Sequence, residues 1–206
     1  MAKITRIKAQ KNKRRVNIYL NERFAFGLDA DNFLKAGLKI GQQLSETQVE
    51  DLIFKNEFQK LLNKTLRLIS ARPRSEKEII DYLKRKKTDP KLIDEVVDKL
   101  KSLGQLDDYA FAVWWVEQRV TFRPKGKIAL LMELRQKGVE REIGEKIIAE
   151  KVDELPLARR AVERKLKIYK NFPPLEFRQK ITGFLARRGF SWGTVKEVID
   201  EFLQKR

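Results

Sequence analysis

Arg72-Pro73-Arg74-Ser75-Glu76-Lys77-Glu78-Ile79 opens a helical apolar rhythm that returns, altered, further along the chain. A shift of 51 residues lays Arg72-Pro73-Arg74 on Arg123-Pro124-Lys125. The same shift lays Ile79 on Leu130 and Ile181, Leu83 on Leu134 and Leu185, Val96 on Ile147 and Val198, and Val97 on Ile148 and Ile199. Lys86, Lys137 and Arg188 coincide as well. Amphipathic helices match one another by chance fairly often, so the polar agreement carries more weight than the apolar. The third copy departs at its start, with Asn171-Phe172-Pro173-Pro174 in place of the first triplet. The spacing predicts three tandem units of about 50 residues, each of three helices, over 57–106, 107–153 and 154–206. Such units stack on their neighbours, so an elongated body is expected, with curvature left open.

Punctuation supports the helices. Ser75-Glu76-Lys77-Glu78 is a capping box, and Asp89-Pro90 reads as an N-cap with proline at the first helical position. Gly104, Gly138 and Gly189 stand where helices should stop. Upstream of residue 57 the period is different. Ile4–Lys8, Val16–Leu20 and Phe24–Leu28 are short β-prone runs, separated by turn-like breaks at Lys11-Asn12-Lys13 and Asn21-Glu22. Residues 1–56 are therefore expected to form a small three-stranded antiparallel sheet. Two short helices should pack on it, one around Phe33, Leu34 and Leu38 and one after the capping box Ser45-Glu46-Thr47-Gln48. The fold class is mainly α, with a β-rich N-terminal extension.

Composition narrows the chemistry. The chain has 206 residues, no cysteine and no histidine, which removes disulfides, thiolate nucleophiles and the commonest general base and metal ligand. No catalysis, metal or cofactor is expected. Forty-six Lys and Arg against 29 Asp and Glu give a net charge of +17, which points to a polyanionic partner. The charge is uneven: +5 over 1–56, +4 over 57–107, zero over 108–154 and +8 over 155–206. A uniform solubility coat would not be distributed in this way. No apolar run reaches the roughly 18 residues a bilayer span needs, and the start, MAKITRIKAQ, lacks a signal-peptide core. A cytoplasmic monomer with no membrane association is expected.

Several local patterns could carry chemistry. Gly126-Lys127-Ile128 lacks the upstream glycine and the hydroxyl of a phosphate-binding loop. Asp107-Asp108 with Glu117 could hold Mg²⁺ for a nuclease-like reaction. The pair stands where the helix starting near Tyr109 needs a cap, and capping is the favoured reading. Trp114 and Trp115 point about 100° apart on a helix, so they should serve different layers, one in its own unit and one against the next. Trp192 reads as a hydrophobic anchor beside a cap at Ser191.

Basic clusters give the strongest functional signal. Lys13, Arg14 and Arg15 lie in a hairpin turn; Arg72 and Arg74, then Arg119, Arg123 and Lys125, lie at inter-helix turns. Lys86 (within Lys84–Lys87), Arg135 with Lys137, and Arg187 with Arg188 lie near the ends of the second helices. Arg159-Arg160, Arg164-Lys165, Lys167 and Lys170 recur along one long helix. Cations in a last helical turn also suit the helix dipole, so any single cluster could be a solvated face. Repetition at equivalent positions favours a basic stripe running from unit to unit.

Three of these stretches carry a family resemblance. Leu68-Ile69-Ser70-Ala71-Arg72-Pro73-Arg74-Ser75-Glu76-Lys77-Glu78-Ile79 resembles the opening signature of the RecX family, regulators of RecA recombinase. Leu103-Gly104-Gln105-Leu106-Asp107-Asp108-Tyr109-Ala110-Phe111-Ala112 resembles that family's next motif, and Glu133-Leu134-Arg135-Gln136-Lys137-Gly138-Val139 a third. They stand in order, at matching spacing, across both repeat junctions. The resemblance covers residues 57–206, and the strand-rich start is similar, more loosely, to the N-terminal extension of longer members.

The resemblance implies three tandem three-helix units and a non-enzymatic negative modulator. Such a protein binds the RecA filament on single-stranded DNA, in its groove or at its end. It depresses ATP hydrolysis, extension, strand exchange and the co-protease activity behind the SOS response; some members also bind DNA directly. Arg72, Arg74, Arg123 and Lys125 are the foremost contact candidates, supported by Lys86, Lys137 and Arg188. Arg72→Glu with Arg123→Glu is then expected to weaken filament binding without lowering the melting temperature. The alternatives are a free-standing helical nucleic-acid binder of helix-turn-helix type and the Asp107–Asp108–Glu117 nuclease.

Overall fold

β-branched and aromatic residues alternate with polar ones through the first 29 residues, and they pair as that alternation requires. The computed structural model describes residues 1–11, 13–169 and 171–204, without the side chains of Arg164 and Lys167. Asn12, Lys170 and those two side chains, all within the basic clusters, thus lie outside the described residues. Strands β1 (Ala2–Ala9), β2 (Arg15–Leu20) and β3 (Arg23–Asp29) form an antiparallel meander in which Ile7 faces Ile18 and Ile18 faces Phe26. Asn21 and Glu22 both take left-handed backbone (φ 47° and 65°), the two-residue turn whose twist suits a hairpin. Ile4, Ile18, Phe26 and Leu28 are buried beneath the sheet.

Two features of this end differ from expectation. A fourth strand, β4 (Gln43–Leu44), adds to the free edge of β1, giving the order β3-β2-β1-β4. Two residues are too few for any periodicity to announce. After α1 (Ala30–Ala36), the second helix is not short: α2 runs from Glu46 to Ala71 as 26 residues. It begins at the expected capping box, where Gln48 N donates to Ser45 Oγ and Ser45 N donates to Gln48 Oε1. It then passes straight through residue 56. Asn56 is buried; its Oδ1 accepts from Asp29 N and from Asn32 Nδ2, and its Nδ2 donates to Gly27 O. One satisfied amide therefore ties the helix to the end of β3, and the helix has no reason to break there.

The rest is helical: α3 (Glu76–Arg85), α4 (Pro90–Ser102), α5 (Asp108–Phe122), α6 (Lys127–Gln136), α7 (Arg141–Lys151), α8 (Glu154–Tyr169), α9 (Pro174–Arg187) and α10 (Trp192–Gln204). With the later part of α2 these make three three-helix repeats. Asp89 caps α4 by accepting from Lys91 N, with Pro90 in the first turn. Gly104, Gly138 and Gly189 end their helices at positive φ. The apolar residues matched by the 51-residue shift are all 5% exposed or less, from Ile79, Leu83, Val96 and Val97 through to Ile199. Each such burial contributes roughly 1.5–3 kcal/mol.

Packing divides the chain into two compact units. One holds residues 1–71 with 82–105, the other residues 72–81 with 106–206. In the first, a small core lies between the sheet and the helices, with α2 packed on α4. In the second, one continuous core runs from Phe111 through Leu134 and Phe177 to Ile199.

Candidate nucleic-acid interface

The second unit contains two joints of the same design. In each, the loop after the second helix of one repeat seats against the N-terminus of the second helix of the repeat before. At the first joint, Ser75 Oγ donates to Lys137 O at 2.7 Å; at the second, Gly126 N donates to Arg188 O at 3.0 Å. A carboxylate at the start of the next repeat then caps the same helix N-terminus. Asp108 Oδ1 accepts from Glu76 N at 2.8 Å, and Glu154 Oε1 accepts from Lys127 N at 2.6 Å. The approach is close. A Cβ on Gly138 would lie 2.6 Å from Lys77 Cβ, and one on Gly189 would lie 2.4 Å from Ala129 N.

These joints engage many of the cations expected to meet a polyanion. Glu78 is mostly buried and receives both guanidinium nitrogens of Arg72, at 2.9 and 3.0 Å, and Lys137 Nζ at 2.5 Å. Arg74 stands 3.9 Å away on the same carboxylate. Burial alone would push the Glu78 carboxyl up, but the hydrogen bonds and charges of Arg72 and Lys137 hold it below the usual carboxylate range. Glu133 is a second hub, accepting from Trp115 Nε1 and Arg119 Nε, both at 2.8 Å, and from Lys125. Its carboxyl too is lowered: burial opposes the shift, and the bonds from Lys125, Arg119 and Trp115 prevail. Arg188 donates to Pro124 O and stacks 4.6 Å from the Phe184 ring.

Repeat equivalence therefore does not mean equal exposure. Arg72 and Arg123 hold matching positions, but residue 129 is alanine where the first repeat has Glu78, and Arg123 is exposed. Lys86 matches Lys137 and Arg188, yet it too is exposed, 6.0 Å from the ring of Tyr82. Arg135 and Arg187 are exposed near the ends of α6 and α9. In the β1–β2 turn Lys13 and Arg14 are exposed, and Arg15, at the start of β2, pairs with Asp29 at 3.3 Å. The sequence-derived candidates thus fall into a held set and an exposed set. The exposed set gains Lys64 and Arg67 of α2, which sequence reasoning missed; their four-and-three spacing with Lys60 is the signal that marks them.

Other candidates are reassigned by their contacts. Asp107 caps α5 itself, accepting from Tyr109 N and Ala110 N, whereas Asp108 caps α3. Glu117 accepts from Lys151 at 2.9 Å. Among the described residues no group of three or more Asp or Glu side chains is placed to hold a metal ion. Trp114 and Trp115 both lie within 6.1 Å of Phe111, one turn earlier on the same helix, but they meet different repeats: Trp115 Nε1 donates to Glu133 of its own repeat, and the Trp114 ring stands 5.6 Å from the Arg72 guanidinium of the repeat before. Trp192 is 69% exposed and anchors nothing. Its first-turn place on α10 turns the ring outward, while Val195, Val198 and Ile199 supply the core face. Among the described residues no helix is long and apolar enough to cross a membrane.

Comparison with known proteins agrees with this architecture from end to end. Four family models match in order: the regulatory protein RecX N-terminal domain over residues 2–45, and the first, second and third three-helix domains of RecX over 62–100, 107–146 and 153–199. The regulatory protein RecX of Bacillus pumilus is 36% identical over 208 residues, spanning 100% of this chain and 78% of the relative. That of Bacillus subtilis is 34% identical, spanning 96% of this chain and 76% of the relative. A crystal structure of a regulatory protein RecX superposes with a TM-score of 0.73 at 27% identity, covering 97% of this chain and 100% of that one. The RecX of Lactobacillus salivarius shares the fold, with a TM-score of 0.63 over 71% of this chain and 97% of that one. A four-stranded sheet leading into three jointed three-helix repeats, matched over its whole length, makes this chain a member of the RecX family of regulatory proteins.

Proposed function

We propose that this protein is a negative modulator of RecA recombinase. It binds the RecA filament on single-stranded DNA, in the groove or at the end, and depresses ATP hydrolysis, extension, strand exchange and co-protease activity. It thereby tunes recombinational repair and the SOS response. In this reading it acts in the cytoplasm as a monomer, without a cofactor and without catalysing a reaction.

The observation that carries the proposal is the ordered match of all four RecX models along a chain of net charge +17. Long-range attraction from such a surface speeds docking on a filament that carries phosphates, and exposed cations at repeat ends fix the register. Arg123, Arg135, Arg187 and Lys86 are the contacts this reading favours. Arg72, Arg74, Arg119, Lys125, Lys137 and Arg188 support the surface from beneath.

The test is ATP hydrolysis by RecA on single-stranded DNA with the protein titrated in, alongside its own DNA binding at the same salt. Inhibition well below one protein per RecA, where binding to bare DNA is weak, is the expected result. Tight DNA binding with RecA turnover untouched would overturn it and favour a free-standing nucleic-acid binder.

A further inference from the structure

Within the first unit, two basic cavities open along one face of α2. A cavity of about 690 Å³ is lined by Lys13, Arg14, Arg15 and Arg67 together with Asp29 and Asp31. A second, of about 360 Å³, is lined by Lys60, Lys64, Tyr82, Lys86 and Lys87, with Glu57 and Asp89. Lys60, Lys64 and Arg67 are spaced i, i+4 and i+7, so they share one helix face over about 10 Å and join the two cavities. The carboxylates there are largely engaged: Asp29 pairs with Arg15, Glu57 with Lys60, and Asp89 caps α4.

The loop at one end of this track is the first repeat's version of the joint. Lys86-Lys87-Thr88 is equivalent to Lys137-Gly138-Val139 and Arg188-Gly189-Phe190, which seat against a preceding repeat. Lys87 has the same left-handed backbone (φ 56°) but carries a side chain where the seated loops have glycine. A lysine in that conformation is disfavoured by roughly 1–2 kcal/mol, and its retention in a basic cavity points to a use for the charge.

We infer that this track, from the β1–β2 turn along α2 to Lys86-Lys87, binds the phosphate backbone of single-stranded nucleic acid. The inference rests on the proposed action at a filament containing such a strand, and it gives the β-rich N-terminal region a part in that action. A row of cations along a helix matches a row of phosphodiesters, and the Tyr82 ring, half-buried beside Lys86, lines the second cavity where a base can stack. An acidic protein segment would match the charges and leave the ring without a role.

The experiment uses the full chain and a short fluorescent oligothymidylate, with affinity followed by anisotropy across a salt series. Lys64→Ser with Arg67→Ser should lower the slope of log affinity against log salt by about 1.4, or 0.7 for each phosphate no longer neutralised, with the melting temperature unchanged. Lys39→Ser with Lys99→Ser removes the same charge from exposed positions that line neither cavity, and should leave the slope as it was. Equal effects from the two pairs would overturn the inference, because only net charge would then matter. Competition by polyglutamate as effective as that by unlabelled oligothymidylate would also overturn it, in favour of an acidic protein partner. A wild-type protein that inhibits RecA while the α2 pair keeps the full salt slope defeats the track and spares the RecA reading. Track-dependent DNA binding without any effect on RecA does the reverse.

Discussion

The two repeat joints of the second unit perform one task with different atoms. At the first, the donor to the incoming carbonyl is the Ser75 hydroxyl; at the second it is the Gly126 amide. The capping carboxylate is Asp108 at the first and the longer Glu154 at the second, where it also accepts from Ser191 N and Thr194 Oγ1. The cation of the seated loop meets a carboxylate, Glu78, at the first and a carbonyl, Pro124 O, at the second. What stays fixed is backbone: a left-handed glycine pressed on the first turn of a helix. The repeat is thus preserved as a way for chain to approach chain, and side-chain chemistry is fitted around it.

If that is right, the joint glycines are where the comparison breaks hardest. Gly189→Ala places a Cβ 2.4 Å from a backbone nitrogen at φ 75°. Strain and overpacking together should cost about 3 kcal/mol or more, read as a lower denaturant midpoint. Gly138→Ala meets Lys77 Cβ at 2.6 Å and should cost nearly as much. Gly104→Ala is the control: its φ is 64°, but nothing lies within 4 Å of the added carbon, so only the conformational cost of about 1 kcal/mol remains. Equal losses at all three sites would show that conformation, not the joint, demands glycine.

The carboxylates should separate the two joints next. Glu154 is buried, and Glu154→Ala strands two amides and a hydroxyl, at a cost of about 2–3 kcal/mol. Asp108→Ala should cost about 1 kcal/mol, as an ordinary cap does. The pH dependence has a definite sign. Burial would raise the Glu154 carboxyl, but the bonds from Ser191, Lys127 and Thr194 lower it below its ordinary value. Its contribution is therefore present above the unfolded value of about 4.3 and is lost as pH falls through the lowered folded value. Melting curves from pH 6 downwards should fall less steeply for Glu154→Ala than for the wild type; parallel curves would remove Glu154 from the account.

Much of this frame is legible in the sequence, for reasons the joints make plain. Period and punctuation are local signals, so Ile79, Leu130 and Ile181 announce their shared burial, and Gly138 and Gly189 their helix ends. The 26-residue length of α2 is hidden because Asn56, which reads as a break in sequence, is satisfied only by partners 24 to 29 residues away. The candidate interface is legible as charge but not as availability. Arg72, Lys125 and Lys137 look like surface cations until Glu78 and Glu133 stand beside them; Arg72 and Lys125 meet those carboxylates within their own repeats, and Lys137 reaches Glu78 across the joint.

Arg72 and Arg123 state this last point as a measurement. Sequence equivalence treats them alike, and on that view reversing both charges leaves stability untouched. The structure separates them. Arg72→Ala removes a two-pronged ion pair from a carboxylate that keeps Arg74 and Lys137, so it should cost about 1 kcal/mol. Arg72→Glu should cost more, since it sets a second carboxylate against Glu78. Arg123→Ala should leave the melting temperature within error, because its side chain is exposed and its repeat has alanine, not glutamate, at the position of Glu78. If the proposed RecA inhibition is measured, the order should invert: Arg123→Ala is expected to weaken the effect at full stability, and Arg72→Ala only in proportion to the protein unfolded. Should the two variants lose stability equally, the exposed and held sets would collapse into one, and the repeat would again be a single basic stripe.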